Sequence, residues 1–148
     1  MGRAFSPFPA AFAAIVALAA LAGCQTKNEG NDTRAAYFKV TGPTENDTFV
    51  IALTDPGTIA EARAIASGQE QSKVHVAGLV VNGTVPYNSP WHFYLHPASI
   101  SFFEMAIEVC DAATTYVEAH LDEVGGAFLP GRHWCPWSSR VVEEVPAP

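Results

Sequence analysis

The apolar N-terminal segment constrains this chain most, because it decides how much of the sequence is left to fold. Arg3 supplies one positive charge, and an uninterrupted apolar run occupies residues 10–22. A bilayer core needs about 20 consecutive apolar residues, so this run is too short to cross a membrane stably. A basic start, a short apolar run and small residues after it are the parts of a cleaved export signal. We therefore predict that residues 1–23 are removed as a signal peptide.

The sequence Leu-Ala-Gly-Cys, which ends at Cys24, resembles the lipobox of bacterial lipoproteins. This resemblance implies a diacylglyceryl group on the Cys24 thiol, cleavage before Cys24, and acylation of the new amino group with a fatty acid such as palmitate. More than one acyl chain anchors a protein stably. The prediction is a lipid anchor in the cell membrane or outer membrane, with the protein on the extracytoplasmic side. Ala20 to Ala22 also form an A-x-A site for ordinary signal peptidase, so a secreted protein is the alternative.

The remaining sequence divides into a polar tether and one small domain. Residues 25–34 contain no apolar side chain, so residues 24–34 are predicted to be a flexible tether. Residues 35–145 form the predicted domain, which is long enough to bury a core, and residues 146–148 form a tail. No internal repeat or second domain boundary is apparent.

Charge and composition exclude polyanionic partners. The chain has eight basic and fifteen acidic residues, a formal net charge of −7, and its basic residues are scattered. Nucleic-acid binding depends on clustered Lys and Arg that neutralise phosphates. We therefore expect no nucleic-acid partner, and for the same reason no peripheral attachment to anionic lipid.

Hydrophobic patterns predict six strands. Segments rich in β-branched and aromatic residues, or alternating with a period of two, are typical of strands. Asn82-Gly83 could close a hairpin, whereas Pro86 and Pro90 favour a longer loop. The predicted strands are Tyr37–Val40, Thr48–Leu53, Lys73–Val81, Trp91–His96, Ser101–Val109 and, at an edge, Val141–Val145.

Two segments have helix signals. Asp55 can cap a helix that has Pro56 in its first position and ends at Ser67, before Gly68. A second helix is predicted from an N-cap at Asp111 to Val124, with apolar residues at helical spacing. The predicted fold class is α+β: an antiparallel or mixed sheet of about five strands, two helices and one disulfide.

The disulfide prediction follows from the cysteine count. Once Cys24 carries lipid, Cys110 and Cys135 remain as an even pair in an oxidising compartment. Closing this loop is expected to stabilise the fold by roughly 3–4 kcal/mol on the chain-entropy model. The competing interpretation is a nucleophilic cysteine activated by histidine.

The histidines and glutamates do not form a recognisable catalytic or metal site. In a strand, His92 and His96 lie roughly 13 Å apart and cannot share one metal. His75 and His133 are isolated in sequence, and His120 is expected to be a hydrogen-bonded core residue. Strand geometry also separates Glu104 and Glu108 beyond the roughly 5–9.5 Å between glycosidase carboxyls. We predict no catalytic residue, metal or cofactor.

Aromatic residues near Cys135 have two interpretations. Trp134 and Trp137 can cover the disulfide, because aromatic side chains bury large apolar areas. Alternatively, together with Tyr87 and Trp91, they form a recognition patch for an apolar or aromatic group of a partner.

Several blocks of the sequence resemble the N-terminal domain of an amoebal calmodulin-binding protein and its bacterial relatives. The resemblance covers most of residues 48–145, and the Trp-Cys-Pro-Trp stretch is its most specific part. It carries no catalytic residues over to this chain. The matching blocks are Phe49–Pro56, Pro86–Asn88, Ala106–Asp111, Tyr116–Val117 and Trp134–Arg140.

The functional prediction is a lipid-anchored binding or interaction module for an unknown protein or small molecule. Calmodulin is not an expected partner, since its targets are basic amphipathic helices and the helix after Asp111 carries Glu118, Asp122 and Glu123. A small extracytoplasmic hydrolase with an unrecognised site is the alternative.

Overall fold

The computed structural model describes residues 1–2, 34–42, 44, 47–106 and 108–148, with the side chain of Glu108 left out. The predicted signal peptide, lipid site at Cys24 and nearly all of the tether lie outside these residues. Residues 32–148 form one compact unit. Within the described ranges, no helix has the length and apolar character needed to cross a membrane.

The unit combines short strands with two α-helices. The helices are α1 (Pro56–Ala66) and α2 (Thr114–Ala119), and short 3₁₀ turns occur between several strands. The strands are β1 (Ala36–Thr41), β2 (Phe49–Leu53), β3 (His75–Asn82), β4 (Phe93–Leu95), β5 (Ser101–Phe103), β6 (Val124–Gly125), β7 (Phe128–Pro130), β8 (His133–Trp134) and β9 (Arg140–Val145).

The longer strands belong to two antiparallel sheets. In the first sheet, β1 lies between β2 and β9, which places β9 at an edge as predicted. In the second sheet, β3 pairs with β4, β5 and β8. The two-residue strand β6 pairs in parallel with β7. The α+β class, the two helices and the disulfide are confirmed, with the strands distributed over separate sheets.

Helix α1 begins and ends as its sequence predicts. The Asp55 side chain accepts a hydrogen bond from the Thr58 amide at 2.8 Å, and this bond lowers the pKa of Asp55. Pro56 occupies the first turn, and Gly68 has a φ of +77° just after the helix. Arg63 of α1 donates two hydrogen bonds to the Glu144 carboxylate of β9, so the helix is tied to the edge of the first sheet.

The main core is centred on Trp134, which has no exposed surface. Its ring lies 4.9 Å from the ring of Phe49 in β2 and 5.5 Å from that of Phe93 in β4. The indole Nε1 donates a hydrogen bond to the carbonyl of Ala112 at 2.9 Å. A single side chain therefore joins both sheets to the segment that precedes α2.

The predicted strand over Ser101–Val109 is wrong beyond Phe103. Phe103 pairs with His75, the first residue of β3, so the partner strand ends there and the described residues after Phe103 have no continuation of β3 to pair with. Met105 and Val109 are consequently exposed, at 80% and 71%. A 3₁₀ turn over Glu108–Cys110 then brings Cys110 to the disulfide.

The second helix is shorter than predicted. Helix α2 ends at Ala119, and its N-cap position is Ala113, which provides no side-chain hydrogen bond. Asp111 lies two residues before this position and is not the cap. Its Oδ1 instead accepts a hydrogen bond from the backbone amide of Trp137 at 3.0 Å.

The strand predicted over Trp91–His96 shortens to β4. Asn82 pairs with Phe93, so β3 and β4 are joined by the longer loop rather than by a tight Asn-Gly hairpin.

Candidate binding cleft

The disulfide between Cys110 and Cys135 is present, with the two Cα atoms 5.1 Å apart. The Cys135 amide also donates a hydrogen bond to the Cys110 carbonyl at 2.8 Å. Ala77 packs with both cysteines in a small buried cluster that is separate from the main core. Because both sulfurs are bonded to each other, the nucleophilic-cysteine interpretation does not apply to this structure.

His133 lies beside this disulfide. Its ring nitrogen and the two sulfurs lie within 4.8 Å of one another, a spacing that suits a metal ion. However, sulfur binds metals as thiolate, and both of these sulfurs are committed to the disulfide. In the part of the chain that the structure describes, no other group of three or more His, Cys, Asp or Glu side chains has such a spacing.

The predicted aromatic recognition patch does not hold for Trp134, which is fully buried and cannot touch a partner. Trp137 is 37% exposed. Trp91 is half-buried and donates an Nε1 hydrogen bond to the Thr48 carbonyl at 2.8 Å. Tyr87 packs on Tyr37, and burial, with smaller effects from two neighbouring tyrosines, raises the pKa of Tyr87 to about 12. Three of the four aromatic residues, Tyr87, Trp91 and Trp134, therefore have evident structural roles.

The other sequence candidates are dispersed. His92 and His96 are exposed on the outer face of the β4 segment, and His92 pairs with Glu118. His75 contacts the Ser139 carbonyl through Nδ1 at 2.9 Å. His120 is not a core residue as predicted: it follows the end of α2, is partly exposed, and its ring stacks on that of Tyr116.

One cleft brings together three segments that are distant in sequence. Its volume is about 240 Å³. The first segment is the β1–β2 connection, the second precedes and opens α2, and the third contains the Trp-Cys-Pro-Trp stretch. The described residues that line it are Gly42, Asp47, Phe49, Asp111, Ala112, Ala113, Thr114, Pro136 and Ser138.

Asp47 is the most unusual residue of this cleft. Its side chain is buried, with the residue only 4% exposed, and Oδ2 accepts a hydrogen bond from the Thr44 hydroxyl at 2.6 Å. The other carboxylate oxygen, Oδ1, is also buried and has no hydrogen-bond partner in the part of the chain that the structure describes. Buried polar atoms in proteins are nearly always hydrogen-bonded, and leaving one unpaired costs about 1–3 kcal/mol, or more if it is charged. Among the described residues, only one oxygen of the Asp47 side chain is therefore compensated for its burial.

The backbone holds Asp47 firmly in place. Its carbonyl accepts hydrogen bonds from the Gly42 amide at 3.1 Å and from the Thr114 hydroxyl at 3.3 Å. Gly42 is required by this close approach, since a Cβ atom at that position would lie 2.6 Å from the Asp47 Cβ. Asp47 is thus joined both to Gly42 at the end of β1 and to Thr114 at the start of α2 on this wall of the cleft.

Asp111 places a second carboxylate in the cleft. Its bond to the Trp137 amide connects the segment before α2 with the Trp-Cys-Pro-Trp stretch, which the disulfide ties to the same segment. Among the described lining residues there are two carboxylates and no basic side chain. This arrangement suits a ligand that carries positive charge and hydrogen-bond donors.

A family model for the BP-74 N-terminal domain matches residues 34–148 of the chain. This chain belongs to that family. The match confirms the predicted resemblance and contains every strand and helix of the compact unit. No curated protein and no solved structure gives a significant match. The site must therefore be interpreted from the residues of this domain itself.

The sequence alone did not identify Asp47 as a site residue. Its importance depends on its burial and on contacts with Gly42 and Thr114, and the latter is separated from it by 67 residues. The nearest local signal is a glycine and a threonine shortly before an aspartate, a pattern that also occurs in ordinary turns.

Proposed function

We propose that this protein is a lipid-anchored, extracytoplasmic binding module, and that the cleft around Asp47 is its ligand site. The observation that carries this proposal is a cleft of about 240 Å³ whose described lining includes the carboxylates of Asp47 and Asp111 and no basic side chain. A ligand that carries positive charge would offset these two carboxylates.

Two features support the proposed lipid anchor and extracytoplasmic location. The Leu-Ala-Gly-Cys sequence at the end of the apolar run supports lipid attachment at Cys24. The Cys110–Cys135 disulfide supports an oxidising compartment, because such bonds are rare where glutathione keeps thiols reduced.

The described lining of the cleft favours binding over hydrolysis by a serine or cysteine nucleophile. Nucleophilic hydrolases need a nucleophile and a base within hydrogen-bond reach of each other. The described residues that line the cleft include no cysteine, and no histidine or lysine that could act as a base for Ser138.

Mass spectrometry of protein extracted from the membranes of an expressing bacterium tests the location. We expect an acylated N-terminal Cys24, and Cys24→Ala should release the protein from the membrane or block its processing. A mature chain that begins at Gly23, with unmodified Cys24, would instead support ordinary secretion.

Denaturant unfolding of Asp47→Asn tests the cleft. If Asp47 serves a ligand, replacing its charge while keeping an oxygen for Thr44 leaves the free energy of unfolding at pH 7 unchanged or raises it. The exposed Asp122, which does not line the cleft, gives the matched control Asp122→Asn. A loss of more than about 1 kcal/mol in Asp47→Asn alone, comparable to losing a structural hydrogen bond, would show that Asp47 serves the fold.

A further inference from the structure

We propose that reduction of the Cys110–Cys135 disulfide creates a zinc site formed by the two cysteine sulfurs and His133. None of these residues lines the cleft around Asp47, so the inference goes beyond the proposed function and does not depend on it. The spacing of the donor atoms, the hydrogen bonds around the disulfide and the exposure of His133 lead to the proposal.

The three donor atoms lie close enough together to serve one ion. A ring nitrogen of His133 and the sulfurs of Cys110 and Cys135 all lie within 4.8 Å of one another. Zinc binds cysteine sulfur at about 2.3 Å and histidine nitrogen at about 2.0–2.1 Å, mostly in tetrahedral geometry, so two donors on one ion are roughly 3.5–3.8 Å apart. Small rotations of the three side chains can therefore bring the donors to this spacing once the S–S bond is broken.

Hydrogen bonds hold the two cysteine segments together independently of the S–S bond. The Cys135 amide donates a hydrogen bond to the Cys110 carbonyl at 2.8 Å. The residue before Cys135, Trp134, donates an indole hydrogen bond to the Ala112 carbonyl at 2.9 Å, close to Cys110 in sequence. Breaking the S–S bond removes neither contact, so the two sulfurs stay neighbours in the reduced protein.

The donor set suits zinc rather than a hard cation. Zinc binds thiolates and imidazole, whereas calcium and magnesium bind oxygen ligands. Among the described residues, no fourth His, Cys, Asp or Glu side chain belongs to this group. A zinc ion with three protein ligands commonly holds water in its fourth position. His133 is exposed, so the ion and this water can reach the sulfurs from its side.

The burial of the cysteines couples zinc binding to the loss of protons. Cys110 and Cys135 are buried in a small apolar cluster with Ala77. Burial disfavours a charged thiolate, so the reduced cysteines are neutral thiols before the metal binds. Zinc replaces the two thiol protons, and its charge then compensates the two thiolates.

The site forms by thiol–disulfide exchange with a dithiol reductant. One thiolate of the reductant attacks a cysteine sulfur, the S–S bond breaks, and the second thiolate resolves the mixed disulfide. The two cysteines gain two electrons and two protons in all, and the reductant leaves as a disulfide. Zinc binding then forms two Zn–S bonds and releases the two protons to solvent.

Zinc titration of the purified full chain tests this proposal. The protein is reduced with a phosphine, which becomes a phosphine oxide and competes little for zinc, and zinc affinity is measured against a chromophoric chelator. We expect the reduced wild type to bind one zinc ion per chain with release of about two protons. Cobalt(II) in place of zinc should give a thiolate-to-cobalt charge-transfer absorption in the reduced protein and none in the oxidised protein.

A histidine variant locates the site. His133→Ala should weaken zinc binding by the reduced protein at least tenfold, since losing even an outer partner of a metal ligand costs about 10–100-fold in affinity. The matched control is His96→Ala, because His96 is also exposed and lies outside the group; it should bind zinc like the wild type. Equal zinc affinity of His133→Ala and the wild type, or no zinc binding by the reduced wild type, would overturn the proposal.

Near-ultraviolet circular dichroism shows whether the reduced protein is folded when zinc is bound. We expect the zinc-bound reduced protein to keep the tryptophan signal of the oxidised protein, because Trp134 stays in the core. A reduced protein that stays unfolded in excess zinc would overturn the proposal, since the cysteines of an unfolded chain would then hold the metal. A charge-transfer absorption of equal strength in the oxidised protein would overturn the requirement for reduction.

Discussion

Trp134→Ala should be among the most damaging single substitutions in this domain. The residue is fully buried, and its ring contacts Phe49 and Phe93 from the two sheets. Removing a core tryptophan costs about 3–5 kcal/mol. The lost Nε1 bond to Ala112 adds about 1 kcal/mol. A small domain has only about 5–15 kcal/mol of stability in total, so the variant should lose a large share of it and unfold at a much lower urea concentration than the wild type.

Urea unfolding, followed by far-UV circular dichroism, measures this effect. Trp134→Phe keeps much of the ring volume but loses the hydrogen bond, so it should lose less stability than Trp134→Ala. Trp137→Ala is the matched control, since Trp137 is 37% exposed and its loss should cost far less. Equal midpoints and slopes for Trp134→Ala and the wild type would refute the central role of Trp134. Destabilisation by Trp137→Ala as large as that by Trp134→Ala would refute the distinction between them.

Three further substitutions probe other parts of the fold by the same unfolding assay. Cys135→Ala should lower stability by about 2–5 kcal/mol, the range for native disulfides in small secreted domains; a wild-type midpoint would show that the disulfide contributes nothing. Asn88→Ala removes side-chain bonds to the Val50 amide and the Phe93 carbonyl, and a loss of about 2–4 kcal/mol is expected from these unpaired groups; a loss below that range would contradict their importance. Glu144→Gln breaks the ion pair with Arg63, whose hydrogen bonds hold the pKa of Glu144 below its usual range. Both side chains are more than a third exposed, so at pH 7 the loss should be under about 1 kcal/mol. The stability difference between Glu144→Gln and the wild type should disappear as the pH falls through the lowered pKa of Glu144, because protonation of Glu144 then removes the ion pair from the wild type as well. A stability difference that persists at pH 2 would contradict this.

The sequence predicted correctly those helices and strands that are determined by residues within or next to them. The cap at Asp55, the proline after it and Gly68 define α1 within a few residues, and the apolar run of β3 is recognisable without its partners. The sequence pattern gave the wrong strand boundary where pairing with a neighbouring strand determines the boundary. Residues 101–109 alternate as a strand should, yet β5 ends at Phe103 because β3 begins at His75.

The candidate site could not be predicted for the same reason. The cleft forms where the β1–β2 connection meets residues 111–114 and 136–138, and the disulfide and the Asp111–Trp137 bond hold the last two segments together. The predicted aromatic patch treated Trp134 and Trp137 alike, although β8 directs the first into the core and the turn after it leaves the second exposed. Sequence alone gives residue types, whereas the position of Asp47 depends on its contacts with Gly42 and with the distant Thr114.

Mapping amide chemical shifts during a titration with n-butylammonium chloride tests the central claim most directly. In the ¹⁵N-labelled protein, we expect the largest changes at Gly42, Asp47, the segment 111–114 and Trp137, with saturation at one site. The Asp47→Asn variant should show much smaller changes at these amides. Shifts scattered over the acidic surface without saturation, or the same cleft shifts in Asp47→Asn, would contradict the claim that the Asp47 cleft is the ligand site.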